Sequence, residues 1–103
     1  MNELIKEMLI ALTPEVYLYT ATANHGTPYI VYGVDGANAL AGENAHTEEA
    51  DQGFIDLFTK SPSDSLIKDI PSALEAGGVS YYLESIQYEE ENGILHYEWI
   101  WEV

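Results

Sequence analysis

The chain is 103 residues long and carries eighteen Asp and Glu against three Lys and no Arg, for a formal net charge of -15. Phosphate backbones are held by Lys and Arg, and Lys6, Lys60 and Lys68 cannot make the basic stripe this needs, so direct nucleic-acid binding is excluded. Hydrophobic residues at 47% and aromatics at 12% are too many for a disordered acidic tail, so the chain folds, and its length suits one domain over residues 1–103.

From the start, Leu4, Ile5, Met8, Leu9 and Leu12 recur at helical spacing while Glu3, Lys6 and Glu7 face the other way, which predicts a helix over Glu3 to Leu12 with Asn2 as its cap. Pro14 stops it, and Val16 to Thr20 alternates as a strand does. After a turn at Asn24-His25-Gly26 comes a second strand, Pro28 to Val34. Both its faces are apolar, so it belongs away from the sheet edge or covered on both sides.

Between Asp35 and Asp51 the composition shifts to Gly, Ala, Asn and Glu without a sustained period, which predicts a long loop, the most mobile internal segment of an isolated subunit. Asp35, Asn38, Leu40, Glu43, His46, Glu48 and Glu49 are its candidate contact residues. Phe54 to Lys60 restores a strand with Phe54, Asp56 and Phe58 on one face and Ile55, Leu57 and Thr59 on the other, and the pattern leaves open which face is inward.

Ser61 to Gly77 reads as the second helical segment, capped by Ser61 or Ser63 and buried along Leu66, Ile67, Ile70 and Leu74. Pro71 removes one backbone donor, so a kink or two short helices meeting near Ile70 are expected. Gly77-Gly78 ends the segment. Val79 to Tyr88 and Ile94 to Val103 are then long strands joined by Glu89 to Gly93, where Asn-Gly signals a hairpin because both residues tolerate positive φ. Leu95, Tyr97, Trp99, Trp101 and Val103 point one way and His96, Glu98 and Glu102 the other, broken only by Ile100, so the Trp face packs on the helices. The element order predicts an α+β fold: a mostly antiparallel sheet of about five strands with two helices on one face, and Leu4, Met8, Leu12, Leu66, Leu74, Trp99 and Trp101 sharing one core.

Chemical motifs are sparse. His46-Thr47-Glu48-Glu49-Ala50-Asp51 offers imidazole and carboxylates, yet it satisfies no ligand spacing and reads better as a solvated acidic loop. His25 falls in a turn and His96 on a polar strand face, neither with a nameable nucleophile, and Glu89 to Glu91 serve solubility rather than acid–base chemistry. Asp35-Gly36 followed by Asn38 lacks the acidic spacing and terminal Glu of a calcium loop. No catalytic group, metal or cofactor is expected. Without cysteine there is neither a disulfide nor a thiolate site, and the domain must hold by packing or assembly, with cytoplasm the default compartment. The opening Met-Asn-Glu-Leu-Ile-Lys-Glu does not resemble a secretory signal, and no apolar run approaches the roughly 18 residues that span a bilayer.

The ordered features resemble those of small bacteriophage and prophage tail-completion proteins, the tail-terminator or head–tail joining group. The likeness is carried by the N-terminal amphipathic helix, by Pro28-Tyr29-Ile30-Val31-Tyr32 and by Phe54-Ile55-Asp56-Leu57-Phe58-Thr59-Lys60 leading into Ser61-Pro62-Ser63-Asp64. Leu74-Glu75-Ala76-Gly77 and Tyr88 to Gly93 before Leu95-His96-Tyr97 complete it. Pro71 and the excess of acid depart from the pattern. The resemblance implies a structural subunit without catalysis, in a homo-oligomeric ring, commonly a hexamer, that meets other phage tail and head proteins in the virion or in the host cytoplasm during assembly. The alternative reading is an acidic DNA mimic whose carboxylates occupy the basic groove of a nucleic-acid-binding protein, which requires them along one continuous face.

Overall fold

The computed structural model describes residues 3–21, 26–35 and 52–103. The first helix, α1, spans Glu3–Leu12 and buries Ile5 and Leu9, one turn apart, with Met8 and Leu12 packed beside them. Leu4 does not join the core as its spacing suggests. It stands about 100° round the helix from Ile5 and is 46% exposed. The N–H of Thr13 closes the last turn on the Leu9 carbonyl at 3.1 Å, ahead of Pro14.

The first strand, β1, is Val16–Leu18, shorter than the alternation predicts because Tyr19 turns to φ 66° and leaves the extended region. β2 is Tyr29–Val34 and pairs with β1 in parallel. β3, Gln52–Thr59, runs antiparallel along the other side of β2, so β2 is an interior strand, as its two apolar faces require. In β3 Gly53, Ile55, Leu57 and Thr59 are the buried set, which decides the inward face that the sequence left open.

The second helix, α2, spans Leu66–Ala76 and is unbroken through Pro71. The expected split does not occur. Leu66, Ile70 and Leu74 are buried one per turn, at about 2 kcal/mol each, against a proline penalty of about 3 kcal/mol. Ser61 and Ser63 are not its cap either: Ser65 holds that position without a side-chain bond, and Asp64 Oδ1 accepts the Leu66 N–H at 2.9 Å. At the far end Gly78 takes φ 73°. Its N–H reaches the Glu75 carbonyl at 3.1 Å while Val79 N–H reaches that of Leu74 at 2.9 Å, a Schellman closure that also buries Val79 near Leu74.

β4, Ser80–Glu89, and β5, Ile94–Glu102, form the C-terminal hairpin. Its turn has four residues rather than a two-residue Asn-Gly loop: only Gly93 has positive φ, at 67°, and its N–H bonds to the Glu89 carbonyl at 2.8 Å. The sheet order is β1-β2-β3-β5-β4, with every pairing antiparallel except β1 with β2. Ile30, Tyr32, Ile55, Leu57, Trp99 and Trp101 meet Ile5 and Leu9 of α1 and Leu66, Ile70 and Leu74 of α2 in one core, so both helices lie on one face of an α+β fold and the Trp face is inward. No helix among the described residues is long and apolar enough to cross a membrane.

Candidate functional site

The side chains that alternate away from the core form a face without a helix. Cross-strand register aligns Tyr29 of β2 with Phe58 of β3 and His96 of β5. Tyr29 and Phe58 stack at 4.7 Å and 13°, Phe58 and His96 at 4.3 Å and 22°, and Tyr17 of β1 meets Tyr29 edge-on at 6.3 Å. Four rings therefore bridge four strands, each contact adding about 0.5–1.5 kcal/mol beyond area burial. Further along, the ring of Tyr19 lies over Gly33, and its hydroxyl donates to the Val34 carbonyl at 2.8 Å.

Asp56 sits beside this row, directly opposite Glu98. Its Oδ1 is 3.3 Å from His96 Nε2, with 17% of the Asp56 side chain and 18% of the His96 side chain exposed. Oδ1, Nε2 and Ser85 Oγ are all out of water's reach. Burial raises the Asp56 pKa above the ordinary aspartate value, and His96 only partly offsets this. Glu98 is raised as well, by burial first and by Asp56 across the strand, with Glu84 and Asp35 adding and His96 opposing.

No hydrogen bond among the described residues joins Ser85 to His96. No group of three His, Cys, Asp or Glu among the described residues could hold a metal ion. The Asp56–His96 contact was not readable from the sequence, which placed His96 on the polar face but could not align it with β3.

Of the contact residues proposed from the loop, only Asp35 is described: it is exposed, and its N–H donates to the Gln52 carbonyl at 2.9 Å. Asn38, Leu40, Glu43, His46, Glu48 and Glu49 lie outside the described residues, as do the loop beyond Asp35, the Asn2 cap, Asn24, His25 and the metal reading of His46 to Asp51.

The less ordinary feature is the outer edge of the sheet. Among the described residues β4 pairs only with β5, and along it Tyr82 is 57% exposed, Leu83 45%, Ile86 52% and Tyr88 60%. Tyr82 shares the helix-free face with Ile100, while Leu83 and Ile86 lie opposite Trp99 and Tyr97 on the core face yet remain uncovered. A register shift between Leu83 and Ser85 interrupts the edge beside exposed Glu84, and Glu89, Glu90 and Glu91 crowd the hairpin tip. At the other end of the sheet Leu18 and Tyr19 are exposed, as are Leu4 and Ile10 on α1. Neither a family model nor a curated protein matches the chain.

Proposed function

We propose that this chain is a non-catalytic structural subunit of a larger assembly, of the tail-completion or head–tail joining kind that its element order resembles, working as a ring of copies that meets other tail and head proteins. The observation that carries the reading is the presence of large exposed apolar side chains at both ends of one sheet: Leu18 at the end of β1 with Tyr19 just after it, and Tyr82, Leu83, Ile86 and Tyr88 on β4. Scattered exposed apolar residues are ordinary, but four on one edge strand support a contact surface. A ring subunit that also meets other proteins needs more than one such surface.

Charge supports the same reading. At -15 the subunit repels a DNA backbone, which suits a passage that DNA must traverse without sticking. The proposed setting is the virion tail, or the host cytoplasm while tails are being built. Light scattering with negative-stain images across a salt series tests the proposal. Closed rings, commonly six-fold by the resemblance, are the expected product. A chain that stays monomeric throughout and instead binds a basic nucleic-acid-binding protein in competition with DNA would replace the proposal with the mimic.

A further inference from the structure

Resting on the assembly reading, we infer that the β4 edge of the hairpin docks a different protein rather than a second copy, and that this partner presents an apolar contact bordered by Lys and Arg. The apolar centre is Leu83, Ile86 and Tyr88, which follow one another along the core-side face of β4 where neither helix covers them. The charged residues along this strand and its turn are all acidic. Glu84 stands at the register shift, and Glu89, Glu90 and Glu91 occupy the strand end and turn, all exposed and with no lysine among them.

A second copy cannot complement those charges. The whole chain has three lysines and no arginine, and each lysine has carboxylates close in sequence: Lys6 between Glu3 and Glu7, Lys68 next to Asp69, and Lys60 shortly before Asp64. Antiparallel edge-to-edge pairing of two β4 strands would bring Glu84, near the middle of the strand, close to Glu84 of the other copy, and like charges across a contact select against that partner. The irregularity at Leu83/Ser85 adds to this, since a bulged edge is a poor template for continuing the sheet. Side-chain docking of an apolar centre, with charge pairs round its rim, is what the surface favours. In a joining ring this is the surface for the protein above or below, leaving other surfaces to the neighbouring copies.

The experiment follows amide resonances of the full chain during titration with synthetic peptides at physiological salt. One peptide alternates Lys with Val and Phe, a second replaces Lys by Glu, and a third replaces Val and Phe by Ser. The expected result is saturable binding of the first peptide only, with shifts confined to the hairpin, and at least tenfold weaker binding by Ile86→Asp. That position is half exposed, so the variant keeps its fold. The triple variant Glu89→Lys, Glu90→Lys, Glu91→Lys, which leaves the apolar centre in place, should lose the first peptide and gain the second.

Equal binding of the Ser peptide, shifts scattered over every acidic surface, or no movement of hairpin resonances would overturn the inference. So would hairpin resonances that shift with protein concentration alone and stop doing so in Ile86→Asp, because a second copy would then occupy the edge. That outcome would leave the assembly proposal standing, whereas a chain monomeric at every salt concentration would remove the proposal without touching the peptide result.

Discussion

Replacing Trp101 by alanine tests the orientation of the entire sheet. Trp101 is fully buried between the sheet and the helices, opposite Gly53 on β3 and Tyr81 on β4, and its Nε1 donates to the Phe54 carbonyl at 3.2 Å. Truncating a buried Trp costs about 3–5 kcal/mol through lost burial and the cavity left behind. The lost hydrogen bond adds about 1 kcal/mol. Against a total stability of about 5–15 kcal/mol for a domain, this consumes a large share, and at about 4–8 °C per kcal/mol the melting temperature should fall by roughly 15 °C or more. Guanidinium unfolding followed by far-ultraviolet circular dichroism gives the number, with Tyr82→Ala on the exposed side of the same hairpin as the control, expected within about 0.5 kcal/mol of the parent. A Trp101→Ala loss below about 1 kcal/mol, or a Tyr82→Ala loss equal to it, would mean that the Trp face is not the inward one.

Mild acid should stabilise the protein. Asp56 and Glu98 have folded pKa values raised above their ordinary 3.8 and 4.5, so the folded state holds more protons than the unfolded one from those values upward. Their contribution is full below the ordinary values and is lost as pH rises through the folded ones; thermal melts from pH 4.5 to 8 should show stability declining, and the pair Asp56→Asn with Glu98→Gln should flatten the slope. An unchanged slope in that double variant would assign the decline to the net charge alone. At Gly33 a Cβ would lie 2.6 Å from the Tyr19 ring and 2.7 Å from that of Phe54, so Gly33→Ala should cost about 1–3 kcal/mol. Because Tyr19 is an exposed side chain that can be removed, the cost should shrink in a Tyr19→Ala background, and an equal cost in both backgrounds would place the strain elsewhere.

The helices and the hairpin were legible because their apolar residues recur at the period of the element: Ile5 with Leu9 and Ile70 with Leu74 once per turn, and Tyr97, Trp99 and Trp101 at every second residue. Leu4 misled because an apolar residue at the margin of a stripe satisfies the same spacing count as one at its centre. Pro71 misled in the other direction, since a local penalty was weighed without the tertiary burial on either side of it. In β3 both faces carry apolar residues, and only pairing with β2 and β5 sends Phe54 and Phe58 outward. Pairing also creates the Asp56–His96–Glu98 cluster, whose members are distant in sequence. The left-handed backbone of Tyr19 was equally hidden, because a bulky aromatic is a poor sequence signal for positive φ; its hydroxyl bond to Val34 and its ring over Gly33 hold it there.

Assembly itself is tested most directly by sedimentation velocity of the full chain from low salt to about 1 M, where the Debye length falls from tens of ångströms to about 3 Å. A subunit charged at -15 that carries apolar contact surfaces should sediment mainly as a monomer at low salt and shift to one discrete larger species as repulsion is screened, with the shift reduced by Leu18→Asp. A single monomer boundary at every salt and protein concentration would contradict the proposal that this chain is an assembly subunit.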